Sequence, residues 1–438
     1  MTLNTTTITR RSLLGLVGAG ATAATLSACG AGPGGSTTSN VAASTGPLDA
    51  SKASGTISFA HWRAEDKATF DKIVTAFKAK YPGTDVHQDI SPSNDYQTNA
   101  MAQIRQGAVG DLFVAFRGAQ FSSMIQAGLY TDLTSTNVAD NYVPSLIAAG
   151  QSNGKQYGLP YQLVYNQPIT NEDLVNQAGY STPPGDWNSY LDLCDKLKSK
   201  GVVPIAWPGG DVGNAGQLFN CMIMNEAPSD DMCAQIEAGK YKVTDSWFVD
   251  MLKKYQQLIP YLQPNATGTA VEPAEQMFAS GKAAMLATGS YHIASVRALK
   301  ATFPIGMLAP ITVSKDKVKY VGVYNATFIL GVSTVSKNPD TAFAFLKFLS
   351  DPTIAGEYGS DTVQNVTVKD AVYTNSDLSH LAPWATKKTL LAPRYQFNNL
   401  NIANAALGTA IAVIGGESPE KAAADAQKII DQQIANKN

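Results

Sequence analysis

Apolar residues recur along most of the chain with either the two-residue period of a strand or the longer period of a helix. Residues 66–80 carry apolar side chains at Phe70, Ile73, Val74 and Phe77, a spacing that predicts a helix. Predicted strands precede and follow this helix at 55–60, 85–90 and 112–116. Because strands and helices alternate, we expect a mostly parallel sheet covered by helices, which is an α/β fold.

Composition then limits the class of protein. The chain has 438 residues, of which 44% are hydrophobic and 16% are charged, enough to build two or three packed domains. The formal net charge of −2 argues against a nucleic-acid partner, because such proteins usually carry a basic excess. No apolar run reaches the length of about 18 residues that a membrane span needs, so a protein with several spans is excluded.

The N-terminus has the pattern of an export signal over residues 1–28. Arg10 and Arg11 precede a modest apolar stretch at 13–24, and small residues follow it. The paired arginines resemble a twin-arginine signal, and an ordinary Sec signal that carries two arginines is the alternative. Both interpretations predict that the mature chain leaves the cytoplasm.

Residues 26–29 (Leu-Ser-Ala-Cys) resemble a bacterial lipobox, in which Cys29 becomes the lipidated N-terminus. A cysteine placed there by chance is the alternative. Residues 30–54 are mostly Gly, Ala, Ser and Thr, which predicts a flexible tether. We therefore expect a protein anchored by lipid on the extracytoplasmic face of the cell membrane.

Six short blocks, in this order, resemble one family. They are 70–82 (ending Lys-Tyr-Pro), 110–133 (with Ala-Gly-Leu-Tyr-Thr-Asp-Leu), 157–166 (Gly-Leu-Pro-Tyr, then Tyr-Asn), 178–206 (Ala-Gly-Tyr to Pro-Ile-Ala), 281–291 (Gly-Lys-Ala-Ala-Met to Gly-Ser-Tyr) and 335–349 (Ser-Lys-Asn-Pro to Phe-Leu). Together they look like the extracellular solute-binding proteins of ABC importers, in the carbohydrate or maltose-binding branch. Two positions depart from the family pattern: Gly110 stands where Pro is common, and Tyr291 stands where Trp is common.

The resemblance implies a two-lobed periplasmic-binding-protein-like fold of type II, with a ligand cleft at the hinge. Both lobes would be discontinuous, the N-terminal lobe being 55–161 with 310–350 and the C-terminal lobe 162–309 with 351–438. It also implies a carbohydrate ligand captured by hinge closure. The partners would be ABC permease subunits with a separate ATPase. We expect a monomer that has no catalytic residues, no cofactor and no metal.

A carbohydrate site needs flat aromatic groups for sugar faces and planar polar groups for hydroxyls. Trp62, Arg63 and Glu65 follow the first predicted strand, where ligands bind in open α/β sheets. The resemblance and the predicted crossing between lobes add further candidates. They are Arg117, Gln120, Tyr161, Gln162, Trp207, Asp211, Ser290, Tyr291, Tyr324, Asn325 and Arg394. Core packing is the alternative for the aromatic candidates; for Trp207 the glycines that follow favour an exposed ring.

Cys221 and Cys233 are close in sequence in an exported chain, so a disulfide between them is expected, and Cys194 would then stay free. Neither a P-loop nor an H-E-x-x-H or G-x-S-x-G motif occurs. The leading hypothesis is a lipid-anchored binding protein for a carbohydrate, most simply an oligosaccharide. The alternatives are a secreted glycan-active enzyme, whose carboxylate pair need not be close in sequence, a binding protein for another solute such as a polyamine, and a passive envelope lipoprotein.

Overall fold

A computed structural model describes residues 47–436, and in this part of the chain strands and helices alternate as expected. The strands are β1 (Gly55–His61), β2 (Thr84–Ile90), β3 (Leu112–Ala115), β4 (Gln151–Ser152), β5 (Lys155–Gln156), β6 (Leu159–Val164), β7 (Ile169–Asn171), β8 (Val203–Ala206), β9 (Ala283–Leu286), β10 (Ile305–Met307), β11 (Gly322–Val332), β12 (Asn365–Val366) and β13 (Thr389–Leu391).

The helices are α1 (Lys67–Lys80), α2 (Ser93–Arg105), α3 (Ala119–Gln126), α4 (Pro144–Ile147), α5 (Glu172–Gln177), α6 (Trp187–Ser199), α7 (Val212–Ile223), α8 (Met232–Glu237), α9 (Ser246–Leu258), α10 (Val271–Ala279), α11 (Ile293–Ala298), α12 (Pro339–Leu349), α13 (Pro352–Thr362), α14 (Ser376–Leu381), α15 (Leu400–Ile414) and α16 (Pro419–Ala435). In α1 the four apolar positions that predicted the helix are all buried. Within the described residues, no helix combines the length and apolar character of a membrane span.

Two sheets with separate cores form the two predicted lobes. The larger sheet has the order β12-β6-β11-β3-β1-β2, with β13 added beside β11. The smaller sheet has the order β10-β7-β9-β8. In the larger sheet β1 runs parallel to β2 and β3, whereas β11 is antiparallel to β3 and β6. The predicted α/β fold with two lobes is confirmed. The expectation of a mostly parallel sheet is wrong, because both sheets are mixed: β11 and β6 in the larger sheet and β7 in the smaller one pair antiparallel with their neighbours.

Two segments join the sheets and place the hinge. The chain leaves the larger sheet at the end of β6 and enters the smaller sheet at β7, so residues 165–168 form one crossing. The long strand β11 forms another. Its residue Val323 packs in the core of the C-terminal lobe, whereas Phe328 to Val332 pack in the core of the larger sheet.

The lobe boundary predicted at residues 350 and 351 fits the packing poorly. Only two residues separate α12 from α13, and Asp351 caps α13 through the backbone amides of Thr353 and Ile354. Tyr358 in α13 packs against Phe70 and Tyr161 in the core of the larger sheet. Strand β12 also joins that sheet. We therefore propose that residues 351–368 belong to the N-terminal lobe.

The tether predicted at 29–54 is only partly described, since residues 29–46 and the lipidation site Cys29 lie outside the described residues. Residues 47–54 are not free chain, contrary to the expectation. Leu48 and Ala53 pack against the core of the larger sheet. The backbone amide of Ser54 donates to Oγ1 of Thr341 at 2.8 Å, which fixes the start of the domain to α12. The tether was predicted from its content of small residues, but the few apolar side chains near its end, such as Leu48 and Ala53, are enough to hold residues 47–54 against the domain.

The predicted disulfide between Cys221 and Cys233 is wrong. Cys194, Cys221 and Cys233 are all free and buried. Cys221 lies in α7, where its Sγ donates weakly to the carbonyl oxygen of Asn166, and Cys233 lies in α8. A short sequence separation favours loop closure but does not bring two Cβ atoms to bonding geometry. Burial raises the pKa of all three thiols, so they remain protonated at neutral pH.

Candidate functional site

A cavity of about 480 Å³ lies between the two lobes. Its N-terminal wall follows the carboxyl ends of β1, β2 and β3, the edge at which α/β sheets bind ligands. Its C-terminal wall comes from the start of α7, the loop after β9 and the segment before α15. Three more lining residues are Gln162 on β6, Asn166 in the crossing that follows it, and Thr327 on β11, and we call these three residues the cavity floor.

Aromatic rings line both walls. Trp62 stacks on Phe116 with ring centroids 3.7 Å apart and an angle of 14° between the planes. Tyr96 and Phe328 hold the indole of Trp62 from its edges. Tyr291 and Tyr395 line the opposite wall. Burial raises the pKa of Tyr291 well above its usual range, so its hydroxyl stays neutral. Flat, uncharged rings on two facing walls suit a ligand with apolar faces.

Arg63 is fixed by acids of its own lobe. It is 3% exposed, its Nε and Nη2 donate to Asp66 at 2.8 and 2.9 Å, and its Nη1 lies 3.0 Å from Glu65. Burial alone would lower the pKa of Arg63, but the charges of Asp66 and Glu65 outweigh it and raise the pKa. The guanidinium is therefore always charged and already neutralised before any ligand enters.

His61 supports this cluster from the end of β1. Its Nδ1 accepts a hydrogen bond from the backbone amide of Arg63, and its Nε2 lies 3.0 Å from Oε1 of Gln88. Since the amide can only donate, Nδ1 carries no proton and Nε2 donates to Gln88. Burial lowers the pKa of His61 to about 4, which keeps the ring neutral.

The opposite wall carries Asp211 and Arg394. Asp211 caps α7, because its Oδ1 accepts from the backbone amide of Asn214 at 2.8 Å. Nη1 of Arg394 donates to the carbonyl oxygen of Gly213, and the guanidinium lies 5.1 Å from the ring centre of Tyr395. With Arg63 and Glu65, the cavity lining thus holds two arginines and two acids. The charges in the lining balance.

Comparisons with known proteins identify the family. The family model described as bacterial extracellular solute-binding protein matches residues 61–355. The chain belongs to the bacterial extracellular solute-binding proteins. A multiple sugar-binding protein of Streptococcus mutans is 21% identical over 321 residues, which cover 72% of this chain and 75% of the relative.

Two solved structures show the same fold. A chitin oligosaccharide binding protein superimposes with a TM-score of 0.76 at 22% identity, covering 87% of this chain and 99% of its own. A solute-binding protein in complex with raffinose gives a TM-score of 0.71 at 18% identity, covering 87% and 98%. The type II fold of a solute-binding protein is therefore shown for this chain.

Half of the predicted ligand residues of this solute-binding protein line the cavity. They are Trp62, Arg63, Glu65, Gln162, Asp211, Tyr291 and Arg394. The structure brings them together from positions that are more than 300 residues apart in the sequence. Their contact with a ligand stays a prediction.

The other half lie outside the lining. They are Arg117, Gln120, Tyr161, Trp207, Ser290, Tyr324 and Asn325. Gln120 shapes the loop after β3, since its Oε1 accepts from the amide of Phe116 at 2.9 Å. Oγ of Ser290 accepts from the amide of Tyr165 at 3.1 Å. Tyr161 and Asn325 are fully buried, and Arg117 lies half-buried near Tyr324. The structure gives Gln120 and Ser290 structural hydrogen bonds and places none of the seven in the cavity lining.

Trp207 is buried, although the glycines that follow it predicted an exposed ring. The indole is fully buried, and its Nε1 donates to the carbonyl oxygen of Ala215 at 3.3 Å. A Cβ on Gly209 would come within 2.4 Å of this ring. The glycine therefore provides the space that buries the tryptophan, whereas the sequence suggested that it exposes the ring.

Several lining residues were not predicted. Those that matter most for the chemistry are Asn94, Phe116, Asn166, Gln217, Thr327 and Tyr395. Phe116 directly follows β3, just as Trp62 directly follows β1. Its position at the end of a strand could therefore have predicted that it lines the cavity. The amides of Asn94 on α2 and Gln217 on α7 gave no sequence signal at all.

Proposed function

We propose that this solute-binding protein captures a carbohydrate, an oligosaccharide in particular, and delivers it to an ABC import permease powered by a separate ATPase. It acts by binding and lobe closure, without covalent chemistry. A ligand that contacts both walls of the cavity stabilises the closed arrangement of the lobes, because only that arrangement offers both sets of contacts at once.

One observation carries this proposal: aromatic rings face each other across a cavity whose floor is made of neutral polar groups. Sugar rings offer apolar faces to such walls and hydroxyl groups to such a floor. Three similar proteins support the same ligand class: their names or titles give multiple sugars, chitin oligosaccharides and raffinose as what they bind. A polyamine would need an excess of acids, and here the acids and arginines balance.

We also propose that Cys29 carries the lipid anchor and that the mature protein works as a monomer on the extracytoplasmic face of the membrane. The lipobox and the chain that follows it support this part. A Cys29→Ala variant is expected to leave the membrane fraction and appear in the soluble extracytoplasmic fraction. Arg10→Lys with Arg11→Lys is expected to block export if the signal is of the twin-arginine type and to permit it if the signal is of the Sec type.

Thermal denaturation of the chain from Gly30 onward, with a panel of mono- and oligosaccharides, tests the carbohydrate proposal. At a ligand concentration near 100 times Kd, mass action stabilises the folded state by about 2.7 kcal/mol. A selective rise in melting temperature with one sugar family is the expected result. Polyamines are tested in the same way as the alternative ligand class and are expected not to raise the melting temperature. Stoichiometric binding without new reducing ends separates binding from glycan cleavage, and no shift with any sugar would contradict the proposal.

A further inference from the structure

The cavity floor receives the ends of two buried chains of hydrogen bonds, one from each lobe. Gln162 on β6 and Thr327 on β11 are direct neighbours in the register of the larger sheet. Asn166 follows in the crossing segment. Gln162 and Asn166 are 2% and 1% exposed, so their amides have no freedom to follow a ligand. Their orientation is set by the protein.

The first chain starts at Arg63 and ends at Gln162. Asp66 accepts two hydrogen bonds from Arg63, and the hydroxyl of Tyr358 donates to Oδ2 of Asp66 at 2.6 Å. Because that hydroxyl has only one proton, it can only accept from its other neighbour, which is Nε2 of Gln162. Burial and the charge of Asp66 raise the pKa of Tyr358, so the proton stays on the phenol.

The second chain starts at a backbone carbonyl and ends at Asn166. The carbonyl oxygen of Gly213 can only accept, so the amide nitrogen of Gln217 faces it, at 3.0 Å. Oε1 of Gln217 then accepts from Nδ2 of Asn166 at 2.9 Å. The carbonyl oxygen of Gly213 thus fixes the orientation of the Gln217 amide, which in turn fixes the orientation of the Asn166 amide. The free end of this chain is Oδ1 of Asn166.

Both chains therefore end in an oxygen that can only accept a hydrogen bond. Among residues 47–436, no group donates to Oε1 of Gln162, and Oδ1 of Asn166 and Oγ1 of Thr327 are both buried without a partner. A buried acceptor without a donor is costly and rare, which points to a donor supplied from outside the chain.

We propose that Gln162 and Asn166 determine specificity by offering acceptors alone, so that the part of the ligand that enters deepest must donate hydrogen bonds, as sugar hydroxyl groups do. Tyr358 and Gln217 are positioning residues that fix the two amides. Acceptor-only groups such as carboxylate or sulfate would meet like dipoles there and are rejected. This inference rests on the proposed function and adds the chemistry by which the same site selects its ligand.

The test uses calorimetric titration of the chain from Gly30 onward with raffinose, maltotriose and the chitin disaccharide. For a sugar that binds, analogues with one hydroxyl replaced by fluorine are titrated next, because fluorine cannot donate a hydrogen bond. We expect at least one position at which the replacement raises Kd about tenfold, the effect of one lost buried hydrogen bond. Inorganic sulfate, which can only accept hydrogen bonds, is expected not to bind.

Tyr358→Phe frees the amide of Gln162 to turn. The rise in Kd caused by fluorine at the sensitive hydroxyl position should therefore be at least threefold smaller in this variant than in the wild type. Tyr142→Phe is the matched control: it removes a buried tyrosine hydroxyl in the same lobe, bonded to Ser350, that does not line the cavity. Gln217→Met tests the other chain if Tyr358→Phe fails to fold. Thr327→Val is expected to weaken binding. Thr288→Val also removes a buried unpartnered hydroxyl, but Thr288 does not line the cavity, so this variant should not weaken binding.

The outcomes separate the two proposals. If no sugar binds the wild-type protein, the carbohydrate proposal fails and this inference fails with it. If a sugar binds and no fluorinated analogue is penalised, or if sulfate competes with it, only this inference is overturned. It is also overturned if Tyr358→Phe and Gln217→Met bind the parent sugar and show the same rise in Kd with the fluorinated analogue as the wild type does.

Discussion

The side-chain amide of Asn94 donates a hydrogen bond of 2.7 Å to Oδ2 of Asp211, although the two residues lie in different lobes. Asn94 is at the start of α2, and Asp211 is the residue that caps α7. Ser122 and Asn398 form a second direct contact of 2.7 Å between a helix of the N-terminal lobe and the segment before α15. The two walls of the cavity therefore touch through neutral and charged polar groups at its rim.

Removing the amide of Asn94 should loosen the lobes without damaging either one. For Asn94→Ala we expect a larger radius of gyration of the ligand-free protein in small-angle X-ray scattering, with little change in the free energy of unfolding. Asp211→Ala should have the same effect on scattering and should also lower the free energy of unfolding by about 1 kcal/mol, because it removes a helix cap. Asn176→Ala, on an exposed face of α5, is the control. Scattering curves that superimpose for all three variants would show that the contact does not hold the lobes.

Trp62 is the tryptophan in the cavity lining, so ligand binding should be visible in its fluorescence. For Trp62→Ala we expect Kd to rise by about tenfold or more, since the indole offers a large flat surface and orders Phe116 behind it. Trp62→Phe retains an aromatic face and should lose less. The measurement is titration of the tryptophan emission with the sugar found by thermal denaturation.

Trp247 provides the matched control for this experiment. It lies on α9, half-buried against the core of the C-terminal lobe and away from the cavity. Trp247→Phe should keep both the affinity and the ligand-dependent change in emission. The assignment of Trp62 to the ligand fails if Trp62→Ala binds the sugar as tightly as the wild type does.

Sequence patterns predicted the elements well and the site only in part, for a physical reason. The helix predicted at 66–80 is Lys67–Lys80, because its apolar spacing records which side chains are buried. Trp62 was found because the end of a strand in an α/β sheet fixes its surroundings. Trp207 follows a strand in the same way, yet it is buried over Gly209, a packing between distant atoms that no local pattern records. The amides of Asn166 and Gln217 acquire their role only when the crossing segment meets α7.

The buried histidine at the end of β1 should make folding sensitive to acid. The pKa of His61 is about 4 in the folded protein because of burial, against about 6.5 when it is exposed. The unfolded chain therefore binds this proton first, so the contribution of the neutral ring is complete above pH 6.5 and is lost as the pH falls towards 4. The integrated loss is about 3 kcal/mol. The free energy of unfolding, measured by urea denaturation at several pH values, should depend less steeply on pH between 4 and 6.5 in His61→Gln than in the wild type. An equal dependence on pH in the two proteins would contradict the assignment.

The three described cysteines should behave as inert core residues. In the chain from Gly30 onward, which lacks Cys29, a thiol reagent such as dithionitrobenzoate is expected to label none of them in the native state. Three thiols should react after unfolding in guanidinium chloride, because all three are free. A reducing agent should leave the melting temperature unchanged. Detection of a single thiol after unfolding without a reductant would show that a disulfide forms after all.

Gly118 lets the closeness of the lobes be tested at a single atom. Its φ of 85° lies in the region that favours glycine, and a Cβ there would come within 2.8 Å of the carbonyl oxygens of Tyr395 and Phe397. Gly128 has a similar φ of 68°, but a Cβ would meet nothing within 4 Å. Alanine at Gly128 should destabilise the protein by about 1–2 kcal/mol through backbone strain, and alanine at Gly118 by more, because its ψ of −127° lies outside the left-handed helical region. Only Gly118→Ala should also push the 395–397 segment away from the N-terminal wall and raise Kd for the sugar. Equal affinities of the two variants would show that the position of this segment does not matter for binding.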